Sequence, residues 1–265
     1  MQYKAIISDL DGTLLNSDHQ LSKYTKDVIK RVIEKGYHFF IATGRHHQDI
    51  AHIKEELEIE TTTITVNGSR VHNGKGQEIL SYDLKGELVS QLLELETDPE
   101  IHFNIYQDDN WYVSRENEWV LQFNEEPQFI YEVVNFDTLN RYHAAKAFFI
   151  CEDHDKLVQL KNTIEESFSD KMNVTFSLPE ILEIMPNRVS KGFAVKKVLE
   201  HYDIKPEEAI AFGDGFNDQD MLQIVGKGFI MGNALDKLKT SLPNNTVIGT
   251  NDEDSVARTI EKMIL

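Results

Sequence analysis

The sequence lacks the features that would place it among membrane, disulfide-rich or low-complexity proteins. Among 265 residues there is one cysteine, Cys151, which cannot form an internal disulfide and fits a reducing compartment. No run of ~18 apolar residues occurs, and no basic segment followed by an apolar one lies near the start. The 6 prolines and 14 glycines are too few for a low-complexity chain. We therefore expect a soluble, cytoplasmic globular protein.

Positive charge is also scarce. The chain has 27 Lys and Arg residues against 45 Asp and Glu residues, which gives a net charge of -18. This charge disfavours non-specific attraction to nucleic acid or to an anionic membrane surface, so we expect neither as a partner. An anionic substrate would be repelled by the overall field. A site for such a substrate would need local positive charge from a metal ion, a lysine, an arginine or a helix N-terminus.

Strand and helix signals alternate at both ends of the chain and change in the middle. The alternation indicates a parallel sheet with helices on both faces, and hairpin signals near residues 67 and 73 end its first half. From about Leu84 to Pro186 the pattern is that of an α+β unit, and the alternation resumes at Ser190. We predict an α/β protein whose core is formed by residues 1–83 and 187–265, with an α+β domain inserted at residues 84–186.

The most informative motif is Asp9-Leu10-Asp11-Gly12-Thr13, which directly follows an apolar run. Open α/β sheets bind ligands at the carboxyl ends of their strands, and carboxylate oxygens are the ligands that Mg2+ accepts. Asp9 could attack a phosphorus atom, while Asp11 could transfer a proton to or from the oxygen on its far side. Asp and Gly are also common turn residues, so the motif alone could be an ordinary acidic turn.

Two further segments offer donors to a phosphate group. Thr43-Gly44-Arg45 ends the second predicted strand with a hydroxyl, an open backbone N–H and a guanidinium. Lys191 opens a predicted helix, where its ammonium and the helix dipole could face an anion. Each feature alone has a plain structural explanation, either a turn before a helix or a solvated lysine. In combination with the Asp9 motif, they favour a shared phosphate site.

The segment from Gly213 to Asp218 repeats the pattern of small and acidic residues after a strand. Asp214 is a candidate metal ligand, Asn217 a candidate phosphate donor, and Asp218 could hold a metal-bound water or orient the ligands. An acidic turn is the alternative. The spacing does not match an EF-hand, whose loop requires a bidentate glutamate at its twelfth position.

Together these residues predict cleavage of a phosphate ester. A phosphate dianion resists attack by a carboxylate unless a metal ion and several donors neutralise its equatorial oxygens. Asp9 would be the nucleophile, and Asp11 would protonate the leaving alkoxide and later deprotonate a water, which requires surroundings that favour its neutral form. The predicted Mg2+ ligands are the carboxylates of Asp9 and Asp214 and the carbonyl of Asp11. The predicted phosphate donors are Thr43, Gly44, Lys191 and Asn217.

Other polar residues at this edge are candidates for substrate contacts. Arg45 is the one we favour, whereas His46 and His47 could equally be structural or solvated. Asn67 is by default a turn residue, but it lies at the carboxyl end of the third predicted strand and could line the pocket.

In this order, DLDGT, TGR, SKG and GDGFND resemble the motifs of the haloacid dehalogenase (HAD) superfamily of phosphatases. The inserted segment resembles the α+β cap of its Cof-type branch. The resemblance implies a Rossmann-like doubly wound core with a mobile cap, an aspartyl-phosphate intermediate, dependence on Mg2+ and a phosphate contact at Leu10. Longer stretches such as SDLDGTLL and ATGRHH are similar to bacterial pyridoxal phosphate phosphatases, which implies that substrate, with sugar phosphates as another possibility.

Three other functions share part of this pattern. A phosphoacceptor signalling domain uses Asp, Mg2+, Thr and Lys on a similar sheet, but it is about half this length and has no inserted domain. A phosphomutase of the same superfamily would share every catalytic residue. A binding protein with a decayed site would lack at least one of these residues, and none is replaced here. We expect a small phosphorylated metabolite as the partner, and a monomer or small homo-oligomer.

Overall fold

The computed structural model describes residues 3–116, 129–136, 143–168 and 170–265, which form two sheets with helices packed against them. The strands in chain order are β1 (Ala5–Ser8), β2 (His38–Ala42), β3 (Thr63–Thr65), β4 (Arg70–His72), β5 (Glu78–Ser81), β6 (His102–Gln107), β7 (Asn110–Val113), β8 (Tyr131–Val133), β9 (Lys146–Ile150), β10 (Met172–Leu178), β11 (Ile181–Pro186), β12 (Ala209–Gly213), β13 (Lys227–Ile230) and β14 (Thr246–Val247). The α-helices are α1 (Lys23–Glu34), α2 (Ala51–Leu57), α3 (Gly86–Leu93), α4 (His154–Phe168), α5 (Lys191–His201), α6 (Gln219–Ile224), α7 (Asp236–Ser241) and α8 (Ser255–Ile264).

The first sheet has the strand order β14-β13-β12-β1-β2-β3-β4-β5. Its strands are parallel from β14 to β3, and β4 and β5 add an antiparallel ribbon at one edge. The order reverses around β1, so the carboxyl ends of β1, β2 and β12 border one crevice. This sheet confirms the predicted α/β fold class with its doubly wound, Rossmann-like core.

Both faces of the first sheet are covered because its central strands are apolar on both sides. Ile7 and its neighbours pack with α5, α6 and α7 in one cluster, while Ile6 packs with α1, α2 and α8 in another. Successive strand residues point to opposite faces, so a strand buried on both sides reads as a continuous apolar run. Because β1 is packed on both faces, the loop that begins at Asp9 starts from a buried strand.

The second sheet has the order β10-β11-β9-β6-β7-β8 and is antiparallel except for the parallel pair β7 and β8. Helices α3 and α4 cover one of its faces. On its other face, Tyr106, Trp111 and Phe148 form an apolar cluster with Val66, which directly follows β3 of the first sheet. The carboxyl edge of the first sheet therefore lies against aromatic side chains of the second.

The structure refines several element boundaries. Strand β3 covers Thr63–Thr65 rather than the run from Thr61 to Val66 that its β-branched residues suggest. Val66 and Asn67 have φ angles of 51° and 52°, which end the extended conformation. Short elements such as α7 and β14 carried no clear sequence signal. The domain division at residues 83 and 187 stays a prediction, and part of the predicted insert lies outside the described residues.

No helix in the described ranges combines the length and the apolar composition needed to cross a bilayer.

His46 is buried where the two sheets meet. Its ring stacks on Phe129 with a centroid distance of 4.2 Å, and its Nε2 lies 3.2 Å from the carbonyl oxygen of Asp108. Burial lowers the pKa of His46 to about 3, and burial also lowers the pKa of nearby His72 to about 4. Both rings are therefore neutral at physiological pH.

These histidines should make the protein sensitive to acid. An unfolded histidine takes up a proton near pH 6.5, so the stability that a neutral buried ring contributes is complete above that pH and is lost as the pH falls toward 3. As the pH is lowered from 6.5, we expect the free energy of unfolding of the native protein to decrease more steeply than that of His46→Gln. The difference in slope should be about 1.4 kcal/mol per pH unit. Urea unfolding at several pH values measures the difference. Parallel pH dependences of the two proteins would contradict this explanation.

Candidate active site

The loop after β1 brings two strand ends together. Gly12 has a φ of 69°, and a Cβ atom there would overlap the carboxylate of Asp214. The hydroxyl of Thr13 donates to Asp214 Oδ1 at 2.7 Å. Glycine adopts this conformation without steric cost and leaves room for the neighbouring loop. As a result the loops after β1 and β12 are in direct contact.

Lys191 is the centre of the site. It begins α5, and the Ser190 side chain caps that helix by accepting from the Phe193 N–H. Its Nζ is fully buried and lies 2.8 Å from Asp9 Oδ1 and 2.7 Å from Asp218 Oδ1. Burial alone would lower the pKa of Lys191, but the Asp218 and Asp9 carboxylates outweigh it and raise that pKa. The ammonium therefore stays charged between two carboxylates.

The cluster of carboxylates has the chemistry of a divalent cation site. Asp9, Asp214 and Asp218 offer oxygen atoms within 4.8 Å of one another. Asp218 is already occupied, because its Oδ1 accepts from Lys191 and its Oδ2 accepts from the backbone N–H groups of Asp214 and Gly215. Asp9 and Asp214 each give one oxygen to a side-chain donor, Lys191 and Thr13 respectively, so their second oxygens remain as candidate ligands for a hard cation such as Mg2+.

The pKa shifts agree with a site built for a cation. Burial and the negative charge of Asp218 raise the pKa of Asp214 to about 7, and the same two causes raise the pKa of Asp9 well above its usual range. Like charges that are buried together are unfavourable unless a positive charge accompanies them. With one lysine and three carboxylates, the cluster has an excess of negative charge that a bound cation would offset.

Asp11 does not have the surroundings that the sequence analysis expected. Burial favours its neutral form, but hydrogen bonds and positive charge from His19 and Arg45 outweigh burial and lower the pKa of Asp11. Arg45 donates to both carboxylate oxygens, with distances of 2.8 Å from Nε and 2.6 Å from a terminal nitrogen. In this conformation the surroundings of Asp11 therefore favour its ionised form, and the neutral Asp11 that the mechanism requires with substrate bound stays a prediction.

The remaining candidate residues lie in two groups. The Thr43 hydroxyl accepts from the Arg45 N–H at 3.1 Å, which orients the loop after β2. Asn217 Nδ2 donates to Asn67 Oδ1 at 3.1 Å, so these two amides lie side by side. A Cβ atom added to Gly44 would lie 3.3 Å from Asn67 Oδ1, which places that glycine next to the same pair. The side chain of Leu10 is buried in the core, so any phosphate contact at Leu10 is limited to its backbone.

The sequence analysis missed two residues from the second sheet. Lys146 and Glu183 form a buried ion pair with a distance of 2.6 Å from Nζ to Oε1. Lys146 also donates to the Gly44 carbonyl at 3.1 Å, and Glu183 accepts from the side chain of Asn67. Each is a lone charged residue within an apolar strand, which is the signal that could have revealed the pair. Through this pair the second sheet is hydrogen-bonded to Gly44, a candidate phosphate donor, and to Asn67, a candidate substrate contact.

The fold and the acidic, lysine-centred site at its carboxyl edge are those of the haloacid dehalogenase-like class. The family model described as haloacid dehalogenase-like hydrolase matches residues 6–260, so the chain belongs to that family.

Individual relatives agree with this assignment. A protein of Klebsiella pneumoniae named HMP-PP phosphatase is 34% identical over 241 residues, which cover 91% of this chain and 88% of the relative. Relatives at 37% to 38% identity carry phosphatase names without a substrate. A haloacid dehalogenase-like hydrolase of Bacteroides thetaiotaomicron has a TM-score of 0.85 at 29% identity and covers 99% of this chain and 100% of its own. The subclass IIB sugar phosphatase BT4131 shares the fold, with a TM-score of 0.83 at 22% identity and 98% of both chains covered. The resemblance to the haloacid dehalogenase superfamily is thereby confirmed.

Proposed function

We propose that the protein is a Mg2+-dependent phosphatase that hydrolyses small phosphate monoesters through an aspartyl-phosphate on Asp9. The observation that carries the proposal is the position of Lys191 Nζ, 2.8 Å from Asp9 Oδ1, inside a cluster of three carboxylates. A lysine and a cation on either side of one carboxylate would neutralise a phosphate dianion while that carboxylate attacks it. The phosphatase names of the relatives support the reaction class.

In the first half-reaction Asp9 Oδ attacks phosphorus, and the bond from phosphorus to the ester oxygen breaks. Lys191 and Asn217, together with the Thr43 hydroxyl and backbone N–H groups at Leu10 and Gly44, would bind the phosphoryl oxygens. When bound by Asp9, Asp214 and the Asp11 carbonyl, Mg2+ would supply positive charge to the equatorial oxygens. In the second half-reaction water attacks phosphorus, the bond to Asp9 breaks, and phosphate leaves.

Asp11 would transfer the protons in both steps. It protonates the leaving alkoxide and then accepts a proton from the attacking water. Arg45 pairs with both oxygens of Asp11 in this structure, so we infer that Arg45 must release Asp11 when a substrate binds. An Arg45 that turns to the substrate would both free the acid and contact the ester. This is the substrate contact that we propose for Arg45.

Two substrates have support from different sources. Pyridoxal phosphate follows from the similarity of longer sequence stretches, and HMP-PP follows from the name of the Klebsiella relative. The net charge of -18 favours a small metabolite over a polymer such as nucleic acid. We expect the reaction to take place in the cytoplasm.

A phosphate-release screen tests the proposal. Pyridoxal phosphate, HMP-PP, sugar phosphates and nucleotides are each incubated with Mg2+ and, separately, with a chelator. We expect release from at least one ester with Mg2+, and a loss of activity of about 10³-fold or more on chelation because the charge of the dianion is then uncompensated. Full activity in the chelator would refute the proposed metal dependence.

The role of Asp11 predicts a dependence on the leaving group. An alkoxide needs a proton to leave, whereas p-nitrophenolate is a stable anion. We expect Asp11→Asn to slow the first half-reaction with an alkyl phosphate by about 10²- to 10⁴-fold, but to spare it with p-nitrophenyl phosphate. The variant should release one equivalent of p-nitrophenolate in a burst and then stall, since the water step lacks its base. Equal losses with both esters in the burst phase would argue against this role.

A further inference from the structure

A chain of hydrogen bonds runs from the second sheet to the proposed phosphate site. Lys146 of β9 pairs with Oε1 of Glu183 on β11, with a distance of 2.6 Å. The other carboxylate oxygen, Oε2, accepts from the side-chain amide of Asn67. Asn67 Oδ1 in turn accepts from Asn217 Nδ2 at 3.1 Å. The chain thus joins a buried ion pair to a residue that is proposed to bind the phosphoryl oxygens.

The charged end of this chain sets the direction of every hydrogen bond in it. An ionised carboxylate only accepts hydrogen bonds, so Asn67 must turn its NH2 group toward Glu183 and its oxygen toward Asn217. That oxygen also only accepts, so Asn217 must present its own NH2 group. The carbonyl oxygen of Asn217 lies instead against Gly215 of its own loop, where an added Cβ atom would overlap it. One hydrogen of the Asn217 NH2 group then remains for a phosphoryl oxygen.

The ion pair is enclosed where the two sheets meet. Lys146 and Glu183 are 4% and 2% exposed, and the Lys146 ammonium lies 4.7 Å from the centre of the Tyr106 ring. The ammonium also donates to the Gly44 carbonyl at 3.1 Å. A buried ion pair contributes little more to stability than apolar residues of similar volume, because both charges lose their water. Its contacts with the first sheet point instead to a role in fixing the groups that it touches.

We propose that Glu183 is a positioning residue for phosphate binding. Acting through Asn67, it aims the NH2 group of Asn217 at the phosphoryl oxygens, so a side chain of the second sheet completes a site on the first. This rests on the proposed function and extends it. Without the carboxylate, the Asn67 amide is free to turn over, and Asn217 loses the acceptor that orients it. The hydrogen bond from Asn217 to phosphate is then weakened.

A double-mutant cycle on Glu183 and Asn217 tests the proposal. Native protein, Glu183→Gln, Asn217→Ala and the double variant are compared, with Mg2+, by the Ki of inorganic phosphate against hydrolysis of p-nitrophenyl phosphate. Glutamine keeps the shape of glutamate but can donate as well as accept, so it no longer dictates the direction. We expect each single change to raise Ki by about tenfold or more, since a hydrogen bond to a charged group is lost. The double variant should match Asn217→Ala within about twofold, because Glu183 acts through Asn217.

Two further proteins separate positioning from a loss of fold. Glu165→Gln makes the same chemical change in an exposed ion pair with Lys161, and it should keep the native Ki. Lys146→Met combined with Glu183→Leu removes both buried charges, so the thermal stability of this pair-free variant should be near native. Its Ki should stay raised, because Asn67 still lacks the acceptor that orients it. If Glu183→Gln does not fold, the pair-free variant decides the question.

Three results would overturn the inference while phosphate release stands. One is a native Ki in a folded Glu183→Gln or in the pair-free variant, and another is a native Ki in Asn217→Ala. The third is a pair of losses that multiply in the double variant, since Glu183 would then act independently of Asn217. Release of phosphate from no ester by the native protein would instead overturn the proposed function.

Discussion

Asp9→Asn should abolish phosphate release while leaving the protein folded. The amide cannot attack phosphorus, and loss of an enzyme's nucleophile lowers turnover by on the order of 10⁵-fold. The change should also raise the free energy of unfolding of the metal-free protein near neutral pH. Burial and the charge of Asp218 raise the pKa of Asp9, so its carboxylate is unfavourable there in the absence of a cation.

The control for this variant is Asp18→Asn, which makes the same chemical change at an exposed position a few residues away. It should keep native activity and native stability. Steady-state phosphate release and urea unfolding are measured on all three proteins. Release by Asp9→Asn within tenfold of the native rate would exclude Asp9 as the nucleophile. A large loss of stability would mean that the inactive variant is merely misfolded.

Lys191→Met should be costly to both activity and stability. The substitution leaves the carboxylates of Asp9 and Asp218 buried without their shared cation, and breaking a buried ion pair in this way costs about 3 to 5 kcal/mol. Phosphate release should fall by about 10³-fold or more because a donor to the phosphoryl oxygens is lost. Calorimetry and phosphate release, both with Mg2+, measure the two effects.

A second change separates these effects. In Lys191→Met combined with Asp218→Asn, one of the two stranded charges is removed, so part of the lost stability should return. Activity should not return, because the phosphoryl donor is still absent. Recovery of activity together with stability would show that Lys191 acts only through the fold, and would contradict its role at the phosphate.

The sequence predicted the centre of the site because its residues follow apolar runs. A strand buried on both faces is recognisable by composition, and whatever follows it lies at the carboxyl edge of a parallel sheet. That reasoning placed Asp9, Asp214 and Asp218 together, and Lys191 was assigned to them from its position at a helix start; the structure brings all four together. It also put Asn67 and Asn217 separately at this edge, and the structure joins them by a hydrogen bond.

The contacts between the sheets could not be predicted in the same way. Lys146 and Glu183 lie more than 30 residues apart on neighbouring strands of the second sheet, and their partners Gly44 and Asn67 belong to the first. Such contacts depend on how the two sheets pack against each other. The spacing of apolar residues within one strand or helix carries no information about that packing. The pairing of Arg45 with Asp11 was not foreseen for a related reason, because it depends on how two loops of the first sheet meet rather than on residue type.

The central claim is that the phosphoryl group passes through Asp9. The most direct test is a single turnover with excess enzyme, in which the reaction is quenched in acid at intervals and the peptides are analysed by mass spectrometry. We expect a phosphoryl group on the peptide that carries Asp9, appearing before free phosphate and decaying as phosphate accumulates. Free phosphate formed at the full rate with no phosphoryl group on that peptide at any time would contradict the account.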